Sequence, residues 1–336
     1  MRQKQLSAFS LIELSIVILI VGIIIAGVVE SSRLFREFKL SVAQNLTRSS
    51  PVSGINGLSL WFDAASDKVL TNTSGSTNIS DGDFINSWVE INPQMSPSLK
   101  FTTSTANSYP IYKQDGLNGL PTLSFDGVDD FLGVASDQRI NDLNSFTIFA
   151  VISVGRNANS ATNTQGIITK QTGVTKNGTI IGNPPYALHL EGNGDLNVFI
   201  VNQDNLSTAI PIAGSRRITM PKALIIDFSN DAKNYTTSSA IKSYLNGVLK
   251  DSRAGSSSIA NVNSSLKIGQ QKNGYPLRFA TCYISEIIIF DRVLLTKDRR
   301  LVQEYLGKKW NIEILQGCVD LIRKIQFCSG SFNRKI

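Results

Sequence analysis

A charge-free run of sixteen residues, Leu14 to Val29 (LSIVILIVGIIIAGVV), constrains this chain more than any other feature. With Phe9 to Ile12 in front, the apolar stretch is twenty-one residues long and is broken only by Glu13. A bilayer core is crossed by about 20 apolar residues in helix, so the longer segment spans and the shorter one barely does. Ahead of it MRQKQLSA carries Arg2 and Lys4 as a short basic head. A secretory signal would need an apolar stretch of about 7–15 residues and a small-x-small cleavage site. This run is longer, and Ala26 is preceded at the critical position by bulky Ile24. A plain membrane anchor accommodates everything except Glu13. A carboxylate inside hydrocarbon costs about 2.5–3.5 kcal/mol even on lenient insertion scales. Seated at the cytoplasmic interface, the same residue would escape most of that cost.

The segment Ala8-Phe9-Ser10-Leu11-Ile12-Glu13 resembles the processing site of type IV prepilins and type II secretion pseudopilins. The resemblance implies that prepilin peptidase cuts between Ala8 and Phe9 and that the new terminal Phe9 is N-methylated. It further implies that Glu13, fifth in the mature chain, serves subunit assembly. In a helical fibre this carboxylate would lie beside the terminal ammonium of a neighbouring subunit. Opposite charges a few ångströms apart in low dielectric attract strongly, while either alone is costly there, so the pair acts as a register device. The sequence departs from the family at Ala8, where the leader usually ends in glycine, and at Glu30, where many major pilins carry proline. Arg2 and Lys4 on one side face Arg33, Arg36 and Lys39 on the other, so charge alone does not orient the helix. The inside placement of the N-terminus comes from the resemblance.

Beyond Val29 the helix is expected to continue. Glu30–Arg33 and Arg33–Glu37 stand at supportive spacings, and Leu34, Phe35 and Phe38 form an apolar stripe. A helix from Phe9 to about Asn45 would be roughly 55 Å long. The stripe would pack on the globular domain, on neighbouring stalks in a fibre, or on both. The turn-rich Ser49–Gly57 then reads as a linker.

The chain from Leu58 onward reads as β. Short β-branched and aromatic runs, among them Leu58–Phe62, Phe146–Val154, Tyr186–Leu190, Leu196–Val201 and Ile284–Phe290, are separated by Gly/Asn/Asp/Ser clusters. Many short strands with frequent turns indicate a sandwich or jelly roll rather than βαβ units. Asn246-Gly247 suits the positive φ values of a type I′ hairpin turn. Leu60-Trp61-Phe62-Asp63-Ala64, Asp81-Gly82-Asp83 before Trp88, Leu123 to Leu132 and Tyr244 to Val248 come in a telling order. Together with the later Ile284 to Arg292 and a helix Thr296–Trp310, they resemble the concanavalin A-like, laminin-G-like jelly roll of bacterial surface proteins. Thr296 is a plausible N-cap, and Val302, Tyr305, Leu306 and Trp310 can face the sandwich. The expected organisation is a leader (1–8), a transmembrane and assembly helix (9–48), a linker (49–57), a jelly roll (58–312) and a basic tail (313–336).

Composition bears on function. With 42% hydrophobic residues, 25 Gly and 10 Pro in 336, the chain is neither disordered nor collagen-like. From Arg292 onward ten Lys/Arg face four Asp/Glu, leaving +6 of the net +7, and the remainder has 23 against 22. A nearly neutral protein with a basic end argues against a nucleic-acid partner. One histidine and three cysteines argue against His-based metal sites and a disulfide-dense scaffold. Glycosidases on this sandwich resemble one another in placing two glutamates on one strand, whereas Glu191 and Glu286 are each isolated. His189 reads as an exposed or edge-paired residue of an ordinary strand, so no enzymatic activity is expected.

Asp126, Asp129 and Asp130 are the metal candidates, since clustered hard carboxylates around a glycine suit calcium; the competing reading is a polar turn. Trp61 and Trp88 read as core rather than sugar-stacking aromatics. Cys318 and Cys328 would lie in an oxidising compartment after export, and the pilin resemblance implies a C-terminal disulfide between them. Pairing with Cys282 stays open; left free, Cys282 is buried as a small apolar side chain. Arg323, Lys324, Arg334 and Lys335 read as solvated surface or as contact with an acidic polymer.

The expected protein is therefore a minor pilin or pseudopilin-like subunit, with prepilin peptidase, other pilin subunits and the inner membrane as partners. Its head would face the periplasm and then the outside on a type IV pilus or type II secretion pseudopilus, displayed for adhesion to a glycan or surface ligand. The alternatives are an uncleaved inner-membrane-anchored periplasmic binding module and a secreted carbohydrate-active enzyme, which the missing paired glutamates disfavour.

Overall fold

The structure is a computed structural model that describes residues 11–141, 143–154, 164–170, 175–176, 179–180, 186–191, 195–201, 207–213, 223–255, 265–272 and 277–315. Three α-helices are seen among them: α1 (Leu11–Arg48), the single turn α2 (Gln138–Asn141) and α3 (Thr296–Trp310). At 1.5 Å per residue α1 is about 57 Å long. It runs unbroken from the apolar segment into the head and ends at Arg48.

The head is a mainly β sandwich of jelly-roll type. Its eight-stranded sheet runs in the order Val248–Arg253, Ile241–Leu245, Leu224–Asn230, Phe146–Val154, Thr281–Phe290, Leu120–Asp126, Ile111–Leu117, and Leu58–Asp63 pairs with the free half of Thr281–Phe290. The nine-stranded sheet runs from Ser207–Ala213 through Leu196–Val201, Tyr186–Leu190, Gln165–Lys170, Leu266–Ile268, Leu132–Val134, Lys100–Thr102 and Ile85–Val89 to Leu70–Asn72. Every pairing is antiparallel. Asn246 and Gly247 turn one hairpin with φ of 49° and 83°, the values a type I′ turn requires.

Two cores arise from the two-residue period of strands. Leu60, Phe62, Trp88, Phe125, Phe146 and Ile287 fill the space between the sheets. Trp61, Phe149, Ile225, Ile288 and Phe290 point the other way, against Val302, Tyr305, Leu306 and Trp310 of α3 and Ala43 of α1. Strands covered on both faces read as continuous apolar runs, which is why Phe146–Val154 and Thr281–Phe290 stand out in the sequence. Each fully buried large side chain stabilises the fold by about 1.5–3 kcal/mol.

The segment 49–57 holds a 3-10 turn, and Val52 and Ile55 belong to the second core. Two expectations are corrected. Thr296 is the first helical residue of α3, and the cap position falls to Leu295, which makes no side-chain cap. An Arg292–Asp298 ion pair at 3.2 Å ties that first turn instead, with the acid at the positive end of the helix. Leu34, Phe35 and Phe38 are 55%, 59% and 64% exposed, so their stripe does not pack on the head.

Candidate functional site

The described side chains of α1 from Leu11 to Phe38 are exposed, with Leu11 at 86% and Ile23 at 64%. Mean hydropathy over the apolar window reaches 2.6, enough by length and composition for a membrane span. Glu30, Arg33 and Glu37 pair along the surface at 3.2 and 3.6 Å. Exposed pairs of this kind contribute about 0–1 kcal/mol and leave the helix bare for other contacts. Glu13 stands in the first turn of α1. Ala8, Phe9, Cys318 and Cys328 lie outside the described residues.

The last three turns of α1 are gripped by the head. Ala43 is 1% exposed, and Gln44 Nε2 donates to the Ala65 carbonyl at 3.0 Å. Thr47 donates its hydroxyl to Asp63 Oδ2 at 2.9 Å. Asp63 closes a strand whose other outward residue here is Trp61, and the strand Thr281–Phe290 presents Glu286 directly opposite Asp63. Lys309 of α3 reaches between the two carboxylates, 2.7 Å from Asp63 Oδ2 and 2.8 Å from Glu286 Oε2. Glu286 also accepts the indole N–H of Trp61 at 2.8 Å, that of Trp310 at 2.6 Å and the Tyr305 hydroxyl at 2.8 Å. Burial, then the nearby Asp63 charge, pushes the Glu286 carboxyl above the usual range despite Lys309. A cavity of about 380 Å³ opens beside this network, lined by Thr47, Arg48, Trp61, Asp67, Ile91 and Pro93 among others. Trp61 and Trp88 are 3% and 0% exposed, so both are core.

Sequence reasoning misses this network. A signal is present in Ile284-Ser285-Glu286-Ile287, where one carboxylate stands in an otherwise uncharged strand, since a buried charge demands a partner. Its partner lies on a helix more than twenty residues away, and no spacing rule connects them.

A second buried pair fastens α3 to the same sheet. Arg299 donates to Asp227, and Gln303 Nε2 donates to the other Asp227 oxygen at 2.7 Å. The Arg299 guanidinium lies 4.5 Å from the Tyr244 ring centroid.

The three aspartates come together as the sequence suggests. One carboxylate oxygen from each of Asp126, Asp129 and Asp130 lies within 4.8 Å of the others. Asp126 Oδ1 accepts the Val128 N–H at 2.7 Å, and Asp130 Oδ2 accepts the Asp126 N–H at 3.0 Å, so the loop also satisfies its own turn. Asp130 is 5% exposed, and burial with the charges of Asp126 and Asp129 pushes its carboxyl up to about 7. A carboxyl crowded in this way is relieved by a proton or by a hard cation, and the all-oxygen donor set can hold a metal such as calcium.

His189 is neither exposed nor on an edge strand as expected: its strand is paired on both sides, it is 3% exposed and its ring centroid lies 4.3 Å from that of Phe199. Its Nε2 is 2.9 Å from Glu191 Oε1, and chiefly this contact brings the Glu191 carboxyl down to about 2. Among the described residues no hydroxyl or thiol hydrogen-bonds the ring. Glu191 comes directly after a strand of the nine-stranded sheet and Glu286 lies in the other sheet, so the two are not paired. Cys282 is 1% exposed in the inter-sheet core, and burial holds its thiol well above the ordinary range.

The chain matches no family model and no curated protein. Solved structures align with most of this chain at low similarity. They include the botulinum neurotoxin serotype D binding domain, with a TM-score of 0.49 and 12% identity over 76% of this chain and 52% of that one. The botulinum neurotoxin type G receptor binding domain has a TM-score of 0.48 and 14% identity over 75% and 52%. The binding domain of botulinum neurotoxin DC, in complex with SialylT, has a TM-score of 0.43 and 15% identity over 70% and 50%. The chain spans about half the length of these structures.

Proposed function

We propose that this chain is a minor pilin or pseudopilin-like subunit, cut by prepilin peptidase after Ala8 and assembled through α1 into a type IV pilus or type II secretion pseudopilus. One observation carries this reading. A single unbroken helix is bare over its membrane-length portion and gripped by a β head at its other end through Ala43, Gln44 and Thr47. A head meant to be displayed needs such a stalk, and bare apolar turns need either lipid or other stalks around them. The prepilin-like Ala8–Glu13 segment favours the second environment after the first. Before assembly the protein is held in the inner membrane with its head in the periplasm. The jelly roll then acts as a binding module for a glycan or surface partner, without enzymatic activity, and the aspartate loop holds calcium.

The apolar span alone serves an uncleaved anchored module equally well. N-terminal sequencing of the protein from its own cells separates the two. Methylated Phe9 as the first residue supports the pilin reading, and a mature chain that retains Met1 overturns it.

A further inference from the structure

Asp63 and Glu286 are directly opposed across an antiparallel pair, and their side chains, like that of Lys309, have 0% exposure. Like charges so placed destabilise a sheet. Lys309 relieves this with its three N–H groups, which reach Asp63 Oδ2 at 2.7 Å, Glu286 Oε2 at 2.8 Å and the Tyr305 oxygen at 3.2 Å. Two carboxylates and one ammonium still leave one negative charge in a site walled by Trp61, Tyr305 and Trp310. One added proton makes the site neutral, the state that burial favours.

We propose that this triad closes an intramolecular amide bond between Lys309 Nζ and Asp63 Cγ, with Glu286 as the proton shuttle. The neutral set starts as ammonium, Asp63 carboxylate and Glu286 carboxylic acid. Glu286 gives its proton to Asp63 Oδ2 and takes one from Lys309, leaving a neutral amine beside a neutral carboxyl. Nζ adds to Cγ, and the Cγ–Oδ2 bond then breaks. Oδ2 departs as water with its own proton and a second one from Nζ passed by Glu286. The products are one amide, one water and Glu286 again protonated, so no oxidant, reductant or co-reactant is needed.

The two carboxylates are not equivalent. Asp63 Oδ1 accepts the backbone N–H of Ala65 at 3.0 Å, a donor fixed by the chain where negative charge develops as Nζ adds. The hydroxyls of Thr47 and Ser66 touch Oδ2, the departing oxygen, at 2.9 and 2.6 Å. Each Glu286 oxygen is instead held by an indole N–H, which orients it as a relay. Holding amine and carboxyl together in one packed site supplies the high effective concentration that condensation requires. The bond would join the first strand of the head to α3 beside the end of α1, so that tension along the stalk is shared by both. It does not depend on cleavage after Ala8.

Peptide mapping of the full chain, purified in detergent, tests the bond. The expected result is a branched peptide joining the Asp63 and Lys309 segments, lighter than their sum by one water, with fragments placing the link on Asp63. Recovery of the two segments only as separate linear peptides overturns the proposal, as does a link placed on Glu286. The wild-type map alone decides the bond. Glu286→Gln is expected to slow its formation by at least about 100-fold, the lower end of general acid–base contributions. Undiminished cross-linking in folded Glu286→Gln overturns the shuttle role.

Discussion

Thr47, in the last turn of α1, donates its hydroxyl to Asp63 at 2.9 Å, and Asp63 is the residue that Lys309 of α3 reaches at 2.7 Å. One carboxylate thus receives both the stalk helix and the C-terminal helix. The orientation of the stalk relative to the sandwich is set at this point, where none of the participating side chains is exposed.

Replacing Thr47 by valine keeps the shape and removes the donor. Hydrogen bonds to charged groups contribute about 1.5–3 kcal/mol, and Thr47→Val should lower stability by that order. Denaturant unfolding of the full chain in detergent measures it. Unchanged stability would mean that the helix is held by Ala43 and Gln44 alone.

Asp130 should make stability depend on pH. Its carboxyl titrates near 7 in the folded state against an ordinary value of 3.8. The folded state therefore keeps a proton that the unfolded chain has released, and stability falls as pH rises through that window. Asp130→Asn should flatten this dependence and be more stable than wild type at pH 8. Calcium should raise the melting temperature of wild type there and leave Asp130→Asn much less affected; equal shifts would show that the ion binds elsewhere.

Arg299 and Asp227 offer a test of what fastens α3. Burial raises the Asp227 carboxyl, and Arg299 with Gln303 opposes that effect. Arg299→Met leaves the carboxylate without its main counter-charge, and breaking a buried pair on one side costs about 3–5 kcal/mol. Arg299→Met with Asp227→Leu should recover most of the loss, because both charges are gone. A double-mutant cycle by thermal unfolding reads the coupling.

Glu13→Ala should leave processing intact and impair incorporation into fibres. Immunoblots of sheared fibres against whole-cell protein compare the two. Normal incorporation would remove the charge-pairing argument for this residue.

The stalk, the sandwich and α3 are legible in the sequence because each depends on near-neighbour periodicity. An apolar run of membrane length needs no tertiary partner to be recognised. The strands Phe146–Val154, Tyr186–Leu190 and Leu196–Val201 are observed as read, since β-branched and aromatic runs bounded by turn residues have few other uses. The aspartate loop is legible for the same reason, its members being within five residues of one another. Short strands such as Leu70–Asn72, Lys100–Thr102 and Leu132–Val134 are not, because three residues carry no period.

Which residues depart from the apolar-in, polar-out pattern is decided by the tertiary structure. His189 alternates with apolar neighbours as an outward residue would, and it is nevertheless covered and paired with Glu191. Leu34, Phe35 and Phe38 are apolar, and they are left more than half exposed. Asp63 and Lys309 look unremarkable in the sequence, and they meet Glu286 because strand register and the docking of α3 place the three together. The local chain can therefore show a membrane-length helix joined to a β sandwich. Which charges are withdrawn from water, and with what partners, depends on contacts between residues far apart in sequence, and only the folded packing supplies those.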